Sequence, residues 1–145
     1  MLDKTTIREW MSSPVLTIRP DAGIGLAHSM MKDLKVRRLA VVNERDQLVG
    51  ILTIGDVREA SPSDATSLSI WELNYLWAQL TVAKIMSRDV IAIESNETMF
   101  EAAKLMLEHK ISGLPVVDET GNLIGMITES DIFRMVVRMG AAETA

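Results

Sequence analysis

Hydrophobic and polar positions along this chain fall into the same succession twice. Short β-rich runs, VLTI (15–18) and VIAI (90–93), each precede a stretch with apolar residues at helical spacing. In the first half these are Ala27, Met30, Met31 and Leu34 within 22–34. In the second they are Met99, Ala102, Ala103, Met106 and Leu107 within 97–109. Two β-branched runs then flank a polar turn, RLAVV-NERDQ-LVGILT and LPVV-DETGN-LIGMIT, which is a hairpin signal. A last helix is predicted to open near Asp56 and near Asp131. Each half therefore reads β-α-β-β-α, an α+β unit of about 55 residues that is marginal alone. The two halves are expected to be related by pseudo-two-fold symmetry, with their sheets packed together and their helices outside.

The succession is a duplication. Shifted by 75 residues, 6–58 fall on 81–133 without a gap, and 16 of the 53 pairs are identical. Unrelated sequences of ordinary composition would give roughly three or four. The identities include Met11/Met86, Ser12/Ser87, Leu39/Leu114, Val41/Val116 and Val42/Val117. They end in Gly50/Gly125, Thr53/Thr128 and Asp56/Asp131, so GILTIGD and GMITESD share one Gly-x-x-Thr-x-x-Asp spacing. Two copies with so long a period do not make a solenoid.

Between the halves, SPSDATSLSIWELNYLWAQL (61–80) begins loop-like. Ser69-x-x-Glu72 is a capping box, and Leu68 is placed to staple onto Leu73, predicting a helix over 69–80. Leu73, Leu76, Trp77 and Leu80 share one face while Ile70, Trp71, Tyr75 and Ala78 occupy the rest. Such a helix wants burial on more than one side. The tail GAAETA has little to anchor it and is expected to fray. The chain thus divides into repeat 1 (1–60), a linker (61–80), repeat 2 (81–138) and a flexible tail (139–145).

Composition narrows the function classes. Of 145 residues, 48% are apolar and 24% charged, as in ordinary globular proteins. There is no cysteine, which removes disulfides and thiolate metal sites. No apolar run reaches the roughly 18 residues of a membrane span, and MLDKTTIREW lacks a signal-peptide layout, so a cytoplasmic protein is expected. The net charge of −5 and six aromatic residues suit nucleic acid poorly, KVRR (35–38) being the best basic spot. His28 and His109 have no acid at catalytic spacing, and GILTIGD lacks the Gly-Lys-Ser/Thr of a P-loop. No nucleophile–base pair stands out, so no enzyme is expected. The methionines read as gap-fillers of the core.

Residues 7 to about 137 resemble a tandem pair of CBS motifs, the cystathionine-β-synthase type, forming a Bateman module. The resemblance rests on the Met-Ser pair opening each copy, the LPVVD strand and the Gly-x-x-Thr-x-x-Asp ending, in order and twice. LSIWELNYLWAQL also resembles the linker of stand-alone CBS pairs grouped with acetoin-utilisation factors. The first copy departs from the pattern at Ala40, where the second has Pro115, and at Arg37-Arg38, where the second has Ser112-Gly113. Arg-Arg at this place occurs in family versions that bind nucleotide phosphates. The resemblance implies adenosine-containing ligands in two clefts between the motifs, and a flat homodimer.

The residue chemistry agrees with a nucleotide. Gly50 and Gly125 lie mid-strand, where a missing side chain marks close backbone approach or a bulge. Thr53 and Thr128 offer a hydroxyl to a phosphate or to the next helix. Asp56 and Asp131 sit where a carboxylate can accept both hydroxyls of a ribose, as acids do in dinucleotide-binding folds. The structural alternative is that Thr and Asp only cap a helix. Arg37 and Arg38 suit a phosphate through their planar donor forks, or are solvated strand-edge residues. Ser112 and Gly113 bring no charge, so one phosphate-ready cleft and one weaker cleft are expected. The resemblance places adenine against Ile18 and Leu39 in one copy and Ile111, Leu114 and Pro115 in the other, although most of these are core residues in any case. AMP, ADP or ATP is the expected ligand of an energy or metabolite sensor, with Mg²⁺ entering only beside a di- or triphosphate and no cofactor required. The arginines disfavour the sulfonium of S-adenosylmethionine, which stays second. The rival class is a structural dimerisation module using the Trp71/Tyr75/Trp77 helix. The regulated protein is expected to be a separate, unknown partner.

Overall fold

The computed structural model describes residues 4–13, 15–60 and 70–144. Contacts group the chain into two compact units. One is contiguous, Leu16–Val90; the other is composite, Met1–Val15 with Ile91–Ala145. Both are α+β, each with a three-stranded sheet and helices.

In the contiguous unit, β1 (Thr17–Ile18) leads through α1 (Ile24–Leu34) to β2 (Arg38–Val42), which lies parallel to β1. The turn at 43–47 then returns the chain as β3 (Leu48–Thr53), antiparallel to β2. The short helix α2 (Ile54–Ala60) follows at once, then α3 (Ile70–Gln79) and α4 (Val82–Ile85). Alternation along the strands turns Leu39, Val41 and Leu52 to one side. There they join Ile24, Ala27 and Met31 of α1 and Val57 of α2 in one buried cluster. The composite unit repeats the plan with β4 (Ile93–Glu94), α5 (Met99–His109), β5 (Gly113–Val117), β6 (Leu123–Thr128) and α6 (Glu129–Thr144). Its core gathers Ile93, Met99, Ala102, Met106, Leu114, Val116, Ile127 and Met135.

The two hairpin turns use one device with different side chains. Asn43 Oδ1 accepts from the N–H groups of Arg45 and Gln47 at 2.9 and 3.0 Å. Asp118 Oδ1 accepts from the N–H groups of Thr120 and Asn122 at 2.9 and 3.0 Å and from the Thr120 hydroxyl at 2.7 Å. Each is an Asx-turn, and the positive-φ position falls to Asp46 in one and Gly121 in the other. α1 and α5 both end on a lysine in the left-handed region, Lys35 and Lys110, each at φ 55°.

The residues leading each repeat pack in the unit of the other repeat. Ser87 exchanges two backbone hydrogen bonds with Ile51, at 3.0 and 2.9 Å, and covers the free edge of β3. Ser12 does the same to Met126 of β6, at 2.9 and 3.0 Å. Just before each serine a helical turn docks beside a helix start. Val82 N–H reaches Ala22 O at 2.9 Å, and Ile7 N–H reaches Glu97 O at 2.9 Å. Such pairing satisfies strand edges that would otherwise template association.

Several sequence expectations are revised. β1 and β4 are two residues each, since pairing with the next strand covers only Thr17–Ile18 and Ile93–Glu94. Helical backbone continues through 139–144, where a flexible tail was expected, because Ala141, Ala142 and Glu143 are good helix formers. Leu34 and Leu107, assigned to apolar helix faces, are exposed. Among the described side chains of α3, burial differs from face to face. Trp77 packs on the contiguous core, its ring edge-on to His28 with centroids 5.6 Å apart, while Trp71, Tyr75 and Leu76 face outward. Ser69 and Leu68, the expected cap and staple, lie outside the described residues. Among the described residues no helix is long and apolar enough to cross a membrane.

Candidate functional site

Thr53 closes β3 and Asp56 stands in the first turn of α2, so the carboxylate folds back on the strand end. Thr53 N–H donates to Asp56 Oδ2 at 2.9 Å, and Asp56 N–H donates to Thr53 Oγ1 at 3.1 Å. This is a reciprocal capping box with aspartate in the third position. In the composite unit Thr128 N–H and the Thr128 hydroxyl both donate to Asp131 Oδ2, at 2.9 and 3.1 Å. Arg134, one turn along α6, donates from Nη1 to Asp131 Oδ1 at 2.9 Å. The Asp131 side chain is 6% exposed and that of Arg134 67%.

The neighbouring strand brings the other polar candidates to the same end of each sheet. Arg38 is the register partner of Thr53, and Gly113 that of Thr128. Arg37 O accepts the Ile54 N–H at 2.8 Å, and Ser112 O accepts that of Glu129 at 3.0 Å. Arg37, Arg38, Thr53 and Asp56 are thus gathered in one unit, and Ser112, Gly113, Thr128 and Asp131 in the other. Arg37 is exposed and Arg38 half-buried.

The apolar candidates divide differently. Leu39 and Leu114 have no exposed surface and belong to the two cores, because strand alternation turns them toward α1 and α5. Their side chains present no surface. Ile18 is also a core residue, and Pro115 is buried. Ile111 is half-buried against the composite core.

Gly50 and Gly125 answer to folding. A Cβ on Gly50 would stand 2.5 Å from Met86 Sδ and 3.0 Å from Ser87 O. On Gly125 it would stand 2.5 Å from Met11 Sδ and 3.1 Å from Ser12 O. The mid-strand glycines make room for the Met-Ser pair of the leading segment. The sequence marked both halves of this contact as repeated identities without joining them.

Arg134 was missed. Its counterpart 75 residues earlier is Glu59, a charge reversal one position beyond the aligned repeat of 6–58 with 81–133. Among the described residues no group of three or more His, Asp or Glu is placed to hold a metal ion.

Comparison with known proteins follows this geometry. The CBS domain family matches residues 7–63 and 82–138. Homoserine O-acetyltransferase of Methanococcoides burtonii is 37% identical over 135 residues, covering 93% of this chain. The chain spans only 25% of that enzyme's length. The CBS domain pair of protein MJ0100, solved in complex with 5′-methylthioadenosine and S-adenosyl-L-methionine, superposes with a TM-score of 0.77 at 28% identity, covering 93% of this chain and 98% of that one. CBSX2 in complex with AMP gives 0.77 at 25% identity, covering 94% and 98%. Repeat, strand–turn–helix endings and fold coincide: the chain belongs to the CBS domain family, with one CBS motif in each half.

Proposed function

We propose that this protein is a non-catalytic regulatory module that binds an adenosine-containing ligand, an adenine nucleotide foremost, at its Thr–Asp turns. The observation that carries the reading is the gathering of Arg37, Arg38, Thr53 and Asp56 at one end of a three-stranded sheet. Capping α2 needs only the threonine and the aspartate. A cation beside them is what a nucleotide requires in addition, the carboxylate facing the sugar and the guanidinium the phosphate. Solved CBS pairs of similar fold hold AMP or S-adenosyl-L-methionine with 5′-methylthioadenosine, which supports the ligand class. Within that class the arginines favour a phosphate over a sulfonium.

The enzyme activity of the acetyltransferase relative belongs to a chain of which this one matches a quarter, and nothing in the turns described resembles a nucleophile with its base. A ligand that prefers one arrangement of the protein shifts it toward that arrangement, and a separate protein would read the change. No cofactor is needed for this, and Mg²⁺ would enter only with a di- or triphosphate. Adenylates being intracellular metabolites, the reading places the module in the cytoplasm.

A thermal-shift panel of AMP, ADP, ATP, S-adenosylmethionine and adenosine tests it, since a ligand at 100 times its Kd adds about 2.7 kcal/mol. Stabilisation by adenylates, reduced by Asp56→Ala or Asp131→Ala, is expected. No shift with any adenosyl compound would overturn the proposal. The second reading, dimerisation through α3, is favoured by the outward Trp71, Tyr75 and Leu76, which line an open groove of about 400 Å³. Light scattering that finds Trp71→Ala unchanged in mass would retire it.

A further inference from the structure

Ser112 and Gly113 bring no charge to the composite unit, so by sequence its turn is the weaker one for a phosphate. The structure supplies a cation from another element. Arg134 projects from α6, holds Asp131 Oδ1 at 2.9 Å through Nη1, and leaves two thirds of its side chain in solvent. A guanidinium carries five donors, so one bond to the aspartate leaves several for a second anion. The Asp131 side chain is 6% exposed and its other oxygen is taken twice by Thr128, so pairing with Arg134 compensates an enclosed carboxylate while most of the guanidinium stays open to solvent.

We propose that Arg134 is the specificity-determining residue of the composite unit, fixing Asp131 with one edge of its guanidinium and taking the ligand's phosphate with the other. This rests on the adenosine-ligand reading above and deepens it: both units accept phosphate-bearing ligands, one through a strand and one through a helix. Three of the roughly four acceptor positions of Asp131 are used by Thr128 and Arg134, leaving about one for a sugar hydroxyl. The Asp56 carboxylate is held differently, by the Thr53 N–H at Oδ2, and no cation stands at the Arg134 position, because Glu59 is there. The composite unit therefore weights the phosphate more heavily than the sugar. The contiguous unit divides its recognition between Asp56 and the Arg37-Arg38 pair.

The test is calorimetric titration of the full chain with AMP and with adenosine. Asp56→Asn serves as the background, so that binding reports chiefly on the composite unit. In that background Arg134→Gln is expected to weaken AMP at least tenfold and to lower the ratio of AMP to adenosine affinity. Arg134→Lys keeps part of that ratio, a charge remaining without the planar fork. The converse variant, Glu59→Arg in an Asp131→Asn background, raises the ratio in the contiguous unit. A ratio unchanged in Arg134→Gln while the melting temperature falls would reduce Arg134 to a helix pairing and overturn the assignment. A ratio that rises would do the same, by making Arg134 an obstacle to the ligand. A wild-type chain that binds neither compound refutes the ligand reading itself. One that binds both and is indifferent to Arg134 refutes only the assignment.

Discussion

Gly125→Ala adds one methyl group to β6, and the structure fixes what it meets. The new Cβ stands 2.5 Å from Met11 Sδ, 3.1 Å from Met11 Cγ and 3.1 Å from Ser12 O. The thioether can swing away. The carbonyl cannot follow cheaply, because Ser12 exchanges backbone hydrogen bonds with Met126 at 2.9 and 3.0 Å, one residue from the substitution. Overpacking of this kind costs about 1–3 kcal/mol. Alanine recovers about 0.5–1 kcal/mol of it through the smaller freedom of the unfolded chain. A net loss of about 1–2 kcal/mol is expected in urea unfolding followed by circular dichroism, with an unchanged denaturant slope. Met11→Ala removes the first two contacts but not the third. The double variant should therefore be less destabilised than the sum of the singles by about 0.5–1 kcal/mol, a measurable coupling. Gly140→Ala is the control of opposite sign: a Cβ there meets nothing within 4 Å, and α6 should gain about 0.5–1 kcal/mol. Additivity of Met11→Ala and Gly125→Ala within about 0.3 kcal/mol would refute the reasoning, since the glycine would then not be there for the methionine.

Lys110→Gly places the residue suited to φ 55° at the end of α5, and Lys35→Gly does so for α1. Each should stabilise by about 0.5–1 kcal/mol and raise the melting temperature by a few degrees, and a fall in either would contradict the left-handed cap. The Asp118 carboxyl is held below its ordinary range by hydrogen bonds from the Thr120 hydroxyl and the Asn122 N–H. A depressed carboxyl contributes stability above its unfolded pKa of about 3.9 and loses it as pH falls through the lower folded value. Asp118→Asn should keep the turn, as Asn43 does in the other hairpin, and flatten stability against pH below about 4. Thermal melts between pH 2 and 5 that superpose for the two proteins would deny Asp118 this role.

Much of the fold was legible because duplication states each signal twice. β2, β3 and β6 lie where RLAVV, LVGILT and LIGMIT placed them, since β-branched runs around an Asx-turn leave little choice of register. Both amphipathic helices formed two residues inside their expected starts, where Gly23 and Thr98 take the N-cap. The leading segments were not legible. Met-Ser and a single helical turn carry no periodicity, and their partners lie 36 to 114 residues away, as Met86 to Gly50 and Met11 to Gly125. For α3, apolar residues on every side concealed that Trp77 turns inward while Trp71, Tyr75 and Leu76 stay exposed. Leu39 and Leu114 were readable as core. They alternate with Ala40 and Pro115 and share a face with Val41 and Val116, and strand geometry separates those faces. Family analogy had placed them against an adenine instead.

The repeated Gly-x-x-Thr-x-x-Asp spacing now separates into parts. Glycine admits the Met-Ser pair, and threonine and aspartate tie the strand end to the helix start, so folding alone accounts for all three residues in both copies. Identity between the repeats is thus what a shared fold demands, and it carries little information about a ligand. The differences carry more. The shared strands do not require Arg37-Arg38 in one copy against Ser112-Gly113 in the other, and Arg134, where the other copy has Glu59, pairs the enclosed Asp131. These substitutions lie at the start of the neighbouring strand and on the following helix, so arginine stands at the strand in one unit and on the helix in the other. Recognition therefore belongs to the positions where the halves disagree. Exchanging Arg134 and Glu59 should lower stability, because it removes the cation from the enclosed Asp131, and should move the preference for a phosphate from the composite unit to the contiguous one; calorimetry with AMP and adenosine on the folded variant that finds the preference unmoved would deny this division.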